Sequence, residues 1–148
     1  MATVELRFTP LPAHVRTARL VAAAVARRGG IDDEVLDEVR LAVGEACSRA
    51  VDLHRRYCPD VPVQVALTDG PDRFRVEVTD CVDDADPDAD PLAALRQAVR
   101  GDSLEALGAL PSGVGLAVIS GLVDDVQVTS LDRGLRVTMT WPVGTAVG

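Results

Sequence analysis

Lysine is missing altogether: all fifteen basic residues of this 148-residue chain are arginine. A phosphate loop of the Gly-x-x-x-x-Gly-Lys type relies on that ammonium group, so its absence excludes the motif outright. Any nucleotide site must therefore work differently. Cysteine is scarce and odd in number, with Cys47, Cys58 and Cys81 lacking the paired short spacings of a zinc site, which leaves reduced, structural thiols as the expectation. No apolar run reaches the roughly eighteen residues of a membrane span, since Leu20 to Ala26 is closed off by Arg27 and Arg28. The first ten residues alternate polar and apolar side chains and lack a basic patch followed by an apolar block. Without a signal segment or a span, the expected location is the cytoplasm. No internal repeat is evident.

What the chain does contain is apolar bulk and negative charge. At 15.6 kDa and 47% hydrophobic residues, it has enough apolar material for one continuous core, and one domain over residues 1–148 is expected. A net charge of −8 and an isoelectric point near 4.6 repel phosphate backbones. This argues against direct nucleic-acid binding and for a protein partner.

Hydrophobic periodicity sets the elements. Val4, Leu6 and Phe8 alternate with Thr3, Glu5 and Arg7, which predicts a half-buried strand ended by Pro10 and Pro12. From Ala13 to Arg28, apolar residues recur at helical spacing through Val15, Ala18, Val21 and Val25 until Gly29-Gly30 stops them. Asp32 offers an N-cap to a second, longer helix running to about His54. Val63, Val65 and Leu67, then Phe74, Val76 and Val78, read as an antiparallel hairpin about the turn Asp69-Gly70-Pro71-Asp72. A long loop from Cys81 to Pro111 follows, with a short helical pattern through Leu92, Leu95 and Val99, and then an apolar helix from Ser112. A closing hairpin of Val126 and Val128 with Leu135, Val137, Met139 and Trp141 completes the order. The expectation is an α+β two-layer sandwich: a mixed, mainly antiparallel sheet with its helices on one face.

Three features carry candidate chemistry: Glu45 inside the long helix, Asp80 ending a strand, and Gly113-Val114-Gly115 opening a helix after a long loop. Singly, each has an ordinary reading as a solvated glutamate, a turn aspartate and a packing glycine pair. In this order and at these spacings they resemble the GHKL superfamily, the ATPase fold of gyrase, Hsp90, histidine kinases and MutL, and within it the anti-sigma factor serine kinases. Leu41 to Val51 resembles the N-box helix, Val76 to Asp80 the strand presenting the adenine-binding aspartate, Gly113 to Ile119 the second glycine box, and Gly134 to Val137 the final Gly-Thr-Thr-Val strand.

The resemblance implies a Bergerat fold, an ATP/Mg cofactor, and a role for Glu45 as general base toward a serine hydroxyl or water. It implies that Asp80 accepts a hydrogen bond from the adenine amino group, and that Gly113 and Gly115 pack backbone amides on the phosphates under a lid formed by residues 82–111. It also implies a homodimer that sequesters a sigma factor and yields it to an anti-anti-sigma (STAS-type) antagonist. Arg16 and Arg19 are the expected partner contacts, as exposed cations in an acidic protein. Three departures fall on the nucleotide. Arg49 replaces the magnesium-binding asparagine and has no acceptor, the first glycine box Asp-x-Gly-x-Gly reads Asp80-Cys81-Val82-Asp83-Asp84 with no glycine, and Leu135 replaces a threonine. These favour weak or lost ATP use, with Arg49 left as a partner for a phosphate. The alternative is an active serine kinase with compensated substitutions. Asp84, Asp86 and Asp88 share the spacing of an EF-hand, but Ala89 and Leu95 stand where its glycine and glutamate belong, so a solvated loop is expected.

Overall fold

A computed structural model describes residues 2–82 and 125–143. In chain order these form β1 (Ala2–Phe8), α1 (Pro12–Arg28), α2 (Asp33–Tyr57), β2 (Val63–Asp69), β3 (Arg73–Thr79), β4 (Asp125–Ser130) and β5 (Leu135–Pro142). The five strands make one sheet in the order β1-β2-β3-β5-β4. Every pairing among the described strands is antiparallel, so the parallel component expected of a mixed sheet is not found there.

The strand alternation places whole rows of apolar side chains on one face. Leu6, Val65, Val78, Val137 and Val128 lie side by side across all five strands, and Val4, Leu67, Val76, Met139 and Val126 make the next row. Because the side-chain period is two, a slip of one residue in any strand would send its whole row to water. The helices cover this face. Val15, Ala18, Ala22, Val25 and Ala26 of α1 are buried with Leu36, Val39, Val43, Ala46 and Ala50 of α2. The alanines let the two helices approach closely, and each buried leucine or valine contributes about 1.5–3 kcal/mol. Phe74 and Trp141, fully buried and stacked with centroids 6.0 Å apart, fill the core beneath the ends of β3 and β5. The opposite face carries Glu5, Gln64, Ala66, Glu77, Thr79 and Arg136 around a shallow depression, and no described helix covers it.

The helix ends differ in detail from the sequence pattern. Asp32 does occupy the N-cap of α2, but its side chain makes no capping bond, and its carbonyl accepts from the Val35 and Leu36 amides. Gly30 adopts φ +97°, a left-handed turn that brings α2 back along α1. At its far end α2 continues three residues past His54, because Leu53 and His54 both turn inward and hold the last turn to the core. The expected lid over residues 82–111 and the glycine helix from Ser112 lie outside the described residues, apart from Val82.

Cys47 sits in the middle of this core, and burial pushes its thiol up from 9.0 to about 12. The neutral thiol is thus the form the fold accommodates. Its contribution is complete below pH 9 and is lost as pH rises toward 12, at up to about 1.4 kcal/mol per pH unit. Urea unfolding at successive pH values should show this alkaline loss of stability in the wild type, and Cys47→Ala should flatten it.

Candidate functional site

The long helix and the end of β3 meet at one buried ion pair. Asp80 is only 1% exposed. Its Oδ2 accepts a hydrogen bond from the Arg49 guanidinium at 2.8 Å, and its Oδ1 accepts from the Val82 amide at 3.0 Å. Arg49 reaches it because position 49 lies on the flank of α2 that turns toward the sheet, one turn beyond Glu45. The Arg49 side chain keeps 18% exposure, so the pair sits at the floor of the site with one edge toward water.

Two further contacts fix the carboxylate from behind. The Asp80 amide donates to the Leu135 carbonyl at 3.0 Å, which ties the end of β3 to the start of β5. Gly134 precedes that carbonyl with φ +84°, and a Cβ there would collide with the Asp80 carbonyl oxygen and stand 2.8 Å from Oδ1. Only glycine permits this approach. Leu135, where a hydroxyl was sought, is instead 1% exposed and belongs to the core.

His54, where the sequence pattern ends the second helix, is fully buried and satisfied. Its Nδ1 lies 2.8 Å from the Val61 carbonyl, and the Cys81 amide donates to Nε2 at 3.1 Å. A carbonyl can only accept and an amide can only donate, so the proton sits on Nδ1. This imidazole joins the last turn of α2 to the residue after Asp80. Sequence reasoning missed that role because a histidine among Arg55, Arg56 and Tyr57 reads as part of a solvated helix end.

The structure thus brings Arg49 and Asp80 together and sets Glu45 one turn away on an exposed face of α2. Arg16 and Arg19 are exposed on α1, and the Arg19 stem crosses Gly44, its Cδ 3.0 Å from where a Cβ would stand. Arg19 therefore lies beside the turn of α2 that carries Glu45. Gly113 and Gly115 lie outside the described residues. Among the described residues no cluster of three or more histidine, cysteine or acidic side chains could hold a metal ion. Among the described residues, Arg49 presents nitrogen donors only, which cannot ligate Mg²⁺, and each Asp80 oxygen accepts one hydrogen bond. No described helix is long and apolar enough to cross a membrane.

Comparison with known proteins agrees with this architecture. The histidine kinase-like ATPase domain family matches residues 8–141. Serine-protein kinase RsbW of Bacillus thuringiensis (strain Al Hakam) is 30% identical over 138 residues, covering 93% of this chain and 82% of that protein. RsbW of Bacillus subtilis (strain 168) is 30% identical over 141 residues, covering 93% and 83%. Among solved structures, the RsbU and RsbW domains of Rv1364c from Mycobacterium tuberculosis share the fold with a TM-score of 0.64 at 18% identity. That match covers 95% of this chain and spans 32% of the longer protein. A chain of the SiaB–SiaC complex from Pseudomonas aeruginosa gives a TM-score of 0.66 at 13% identity, covering 93% and 88%.

The burial of the ion pair sets its energetic weight. Arg49→Ala strands a carboxylate that water cannot reach, and it should cost about 3 kcal/mol of folding free energy. The Arg40–Asp37 pair is shorter, at 2.6 Å, but its aspartate is 80% exposed. Arg40→Ala should therefore cost less than about 1 kcal/mol. Thermal or urea unfolding of the two variants measures the contrast.

Proposed function

We propose, from the premise that this chain belongs to the histidine kinase-like ATPase domain family and is a relative of the serine-protein kinase RsbW proteins, that it is an anti-sigma factor acting by partner switching. In this reading it holds a sigma factor inactive and gives it up when an unphosphorylated anti-anti-sigma (STAS-type) protein occupies the same surface. It does so in the cytoplasm as a homodimer, for which the uncovered polar face of the sheet is the available surface.

The Arg49–Asp80 pair is the observation that carries the emphasis on binding over phosphoryl transfer. The carboxylate that would receive an adenine amino group is already bonded through both oxygens. The position that would supply Mg²⁺ with an oxygen supplies a fixed cation instead. Negative charge at Asp83 and Asp84 adds to the cost of bringing a triphosphate near. ATP use is accordingly weak or lost, and regulation falls to competition between protein partners.

A second reading, an ATP-dependent kinase that phosphorylates the antagonist on serine, is favoured by the name its relatives carry and by the exposed Glu45 one turn from Arg49. Calorimetric titration with Mg²⁺–ATP separates the two. The anti-sigma reading expects no saturable binding at micromolar nucleotide. A low-micromolar, magnesium-dependent affinity would establish the kinase reading instead.

The partner surface has its own test. Arg16 and Arg19 give an acidic protein a local positive face beside Glu45 and Gly44, suited to an acidic surface on a sigma factor or antagonist. Replacing both with glutamate should slow association by roughly tenfold or more at low salt, with an unchanged melting temperature, since exposed substitutions rarely cost stability. Stopped-flow or surface-binding rates for the two partners check this. Wild-type rates would place the surface elsewhere.

A further inference from the structure

Two of the three thiols converge on one residue. Cys58 ends α2, and its amide donates to the His54 carbonyl at 2.8 Å. Cys81 follows Asp80, and its amide donates to the His54 imidazole at 3.1 Å. The same side chain is anchored through Nδ1 to the Val61 carbonyl. His54 thus holds both cysteine backbones, which lie 23 residues apart in sequence: Cys58 through its main-chain carbonyl and Cys81 through its buried ring. Both cysteines are free and partly exposed, whereas Cys47 is buried. A small oxidant therefore meets Cys58 and Cys81 first.

The electrostatics agree with proximity. Burial, the Cys81 thiol and the Asp80 carboxylate push the Cys58 thiol up, in that order, and Arg133 pulls it down. Cys58 therefore feels the charge of Cys81, and the residues acting on it include the carboxylate of the ion pair.

We propose that Cys58 and Cys81 form a reversible disulfide that fastens the end of α2 to the segment leaving β3. A hydroperoxide is the oxidant. One thiolate attacks it, the O–O bond breaks, and a sulfenic acid forms with release of an alcohol or water. The second thiolate then attacks that sulfur, the S–O bond breaks, and water leaves. Two thiol protons and two electrons pass to the peroxide, and a dithiol reductant reverses the step. The oxidised form links the helix that carries Arg49 to the residue beside Asp80. The two halves of the ion pair then lose the freedom to separate, and oxidation becomes a lock on the site.

The test uses the purified 148-residue chain and hydrogen peroxide, followed by alkylation, non-reducing peptide mapping and intact mass. The expected product is a monomer lighter by two hydrogens, with a Cys58–Cys81 crosslinked peptide that dithiothreitol removes and with Cys47 unmodified until the protein unfolds. Amide exchange at Val82 should slow roughly tenfold in the crosslinked form. Oxidation should quicken as pH rises, because the thiolate is the nucleophile. Cys58→Ser and Cys81→Ser should each abolish the crosslink and leave a sulfenic acid on the remaining thiol. Separate sulfinic acids on the two cysteines without a crosslink, or a disulfide joining two chains, would overturn the proposal. The wild-type map decides the question even if a serine variant fails to fold. No nucleotide or partner enters the experiment, so its outcome is independent of the proposed function.

Discussion

A carboxylate that water cannot reach must be surrounded by donors, and the end of β3 is organised around that requirement. Asp80 meets it with a guanidinium from α2 and the amide of Val82, while its own amide donates to the Leu135 carbonyl and ties this point to β5. One donor comes from the helix and the other from the chain just beyond the strand. The ion pair consequently locates the long helix relative to the sheet, while the apolar rows beneath supply most of the driving force. The two contributions are of different kinds: valines and leucines favour any arrangement that buries them, and a charged pair with two defined oxygens favours one. His54 adds a second polar tie one and a half turns further along α2, again between the helix and the residues just after Asp80. Both ties converge on the same few residues, so the junction of α2 with the end of β3 is the most closely specified region of the described structure.

The two faces of the sheet have separate consequences. The covered face is uniform in chemistry, and its register is enforced by the loss of a whole apolar row upon slippage. The face that no described helix covers mixes Glu5, Glu77, Arg75 and Arg136 with small residues, and its ion pairs are long, at 3.9 and 4.0 Å for Glu77 with Arg75 and Arg136. Such contacts do little to hold the sheet together. They leave that surface with charge of both signs and side chains able to re-pair with another molecule.

Much of this was legible in the sequence, for reasons that can be named residue by residue. Val4-Leu6-Phe8, Val63-Val65-Leu67 and Phe74-Val76-Val78 alternate strictly, and the strands fall where that alternation places them. The helical stripes of α1 and α2 are equally direct, and the family resemblance through Glu45, Asp80 and the final strand led to the correct fold. The end of α2 was read three residues short because Arg55, Arg56 and Tyr57 are exposed and add nothing to the apolar stripe of the helix. The pairing of Arg49 with Asp80 was not legible at all. The sequence marked each residue as unusual, but their contact spans 31 positions and depends on how α2 lies across the sheet. Gly134 was visible as the start of the final strand motif, while its pressure against Asp80 is a property of the tertiary structure alone.

That glycine also bears on inheritance. Every missense change at a codon for glycine introduces a Cβ, and at position 134 that carbon has no place to go: the obstacle is the main chain of Asp80, which cannot rotate aside as a side chain would. The site thus has two kinds of mutational history open to it. Residue 49 can be exchanged whenever its replacement, or a compensating change at residue 80, keeps the buried oxygen satisfied. Residue 134 offers no such route, and variation there is confined to the silent positions of its codon.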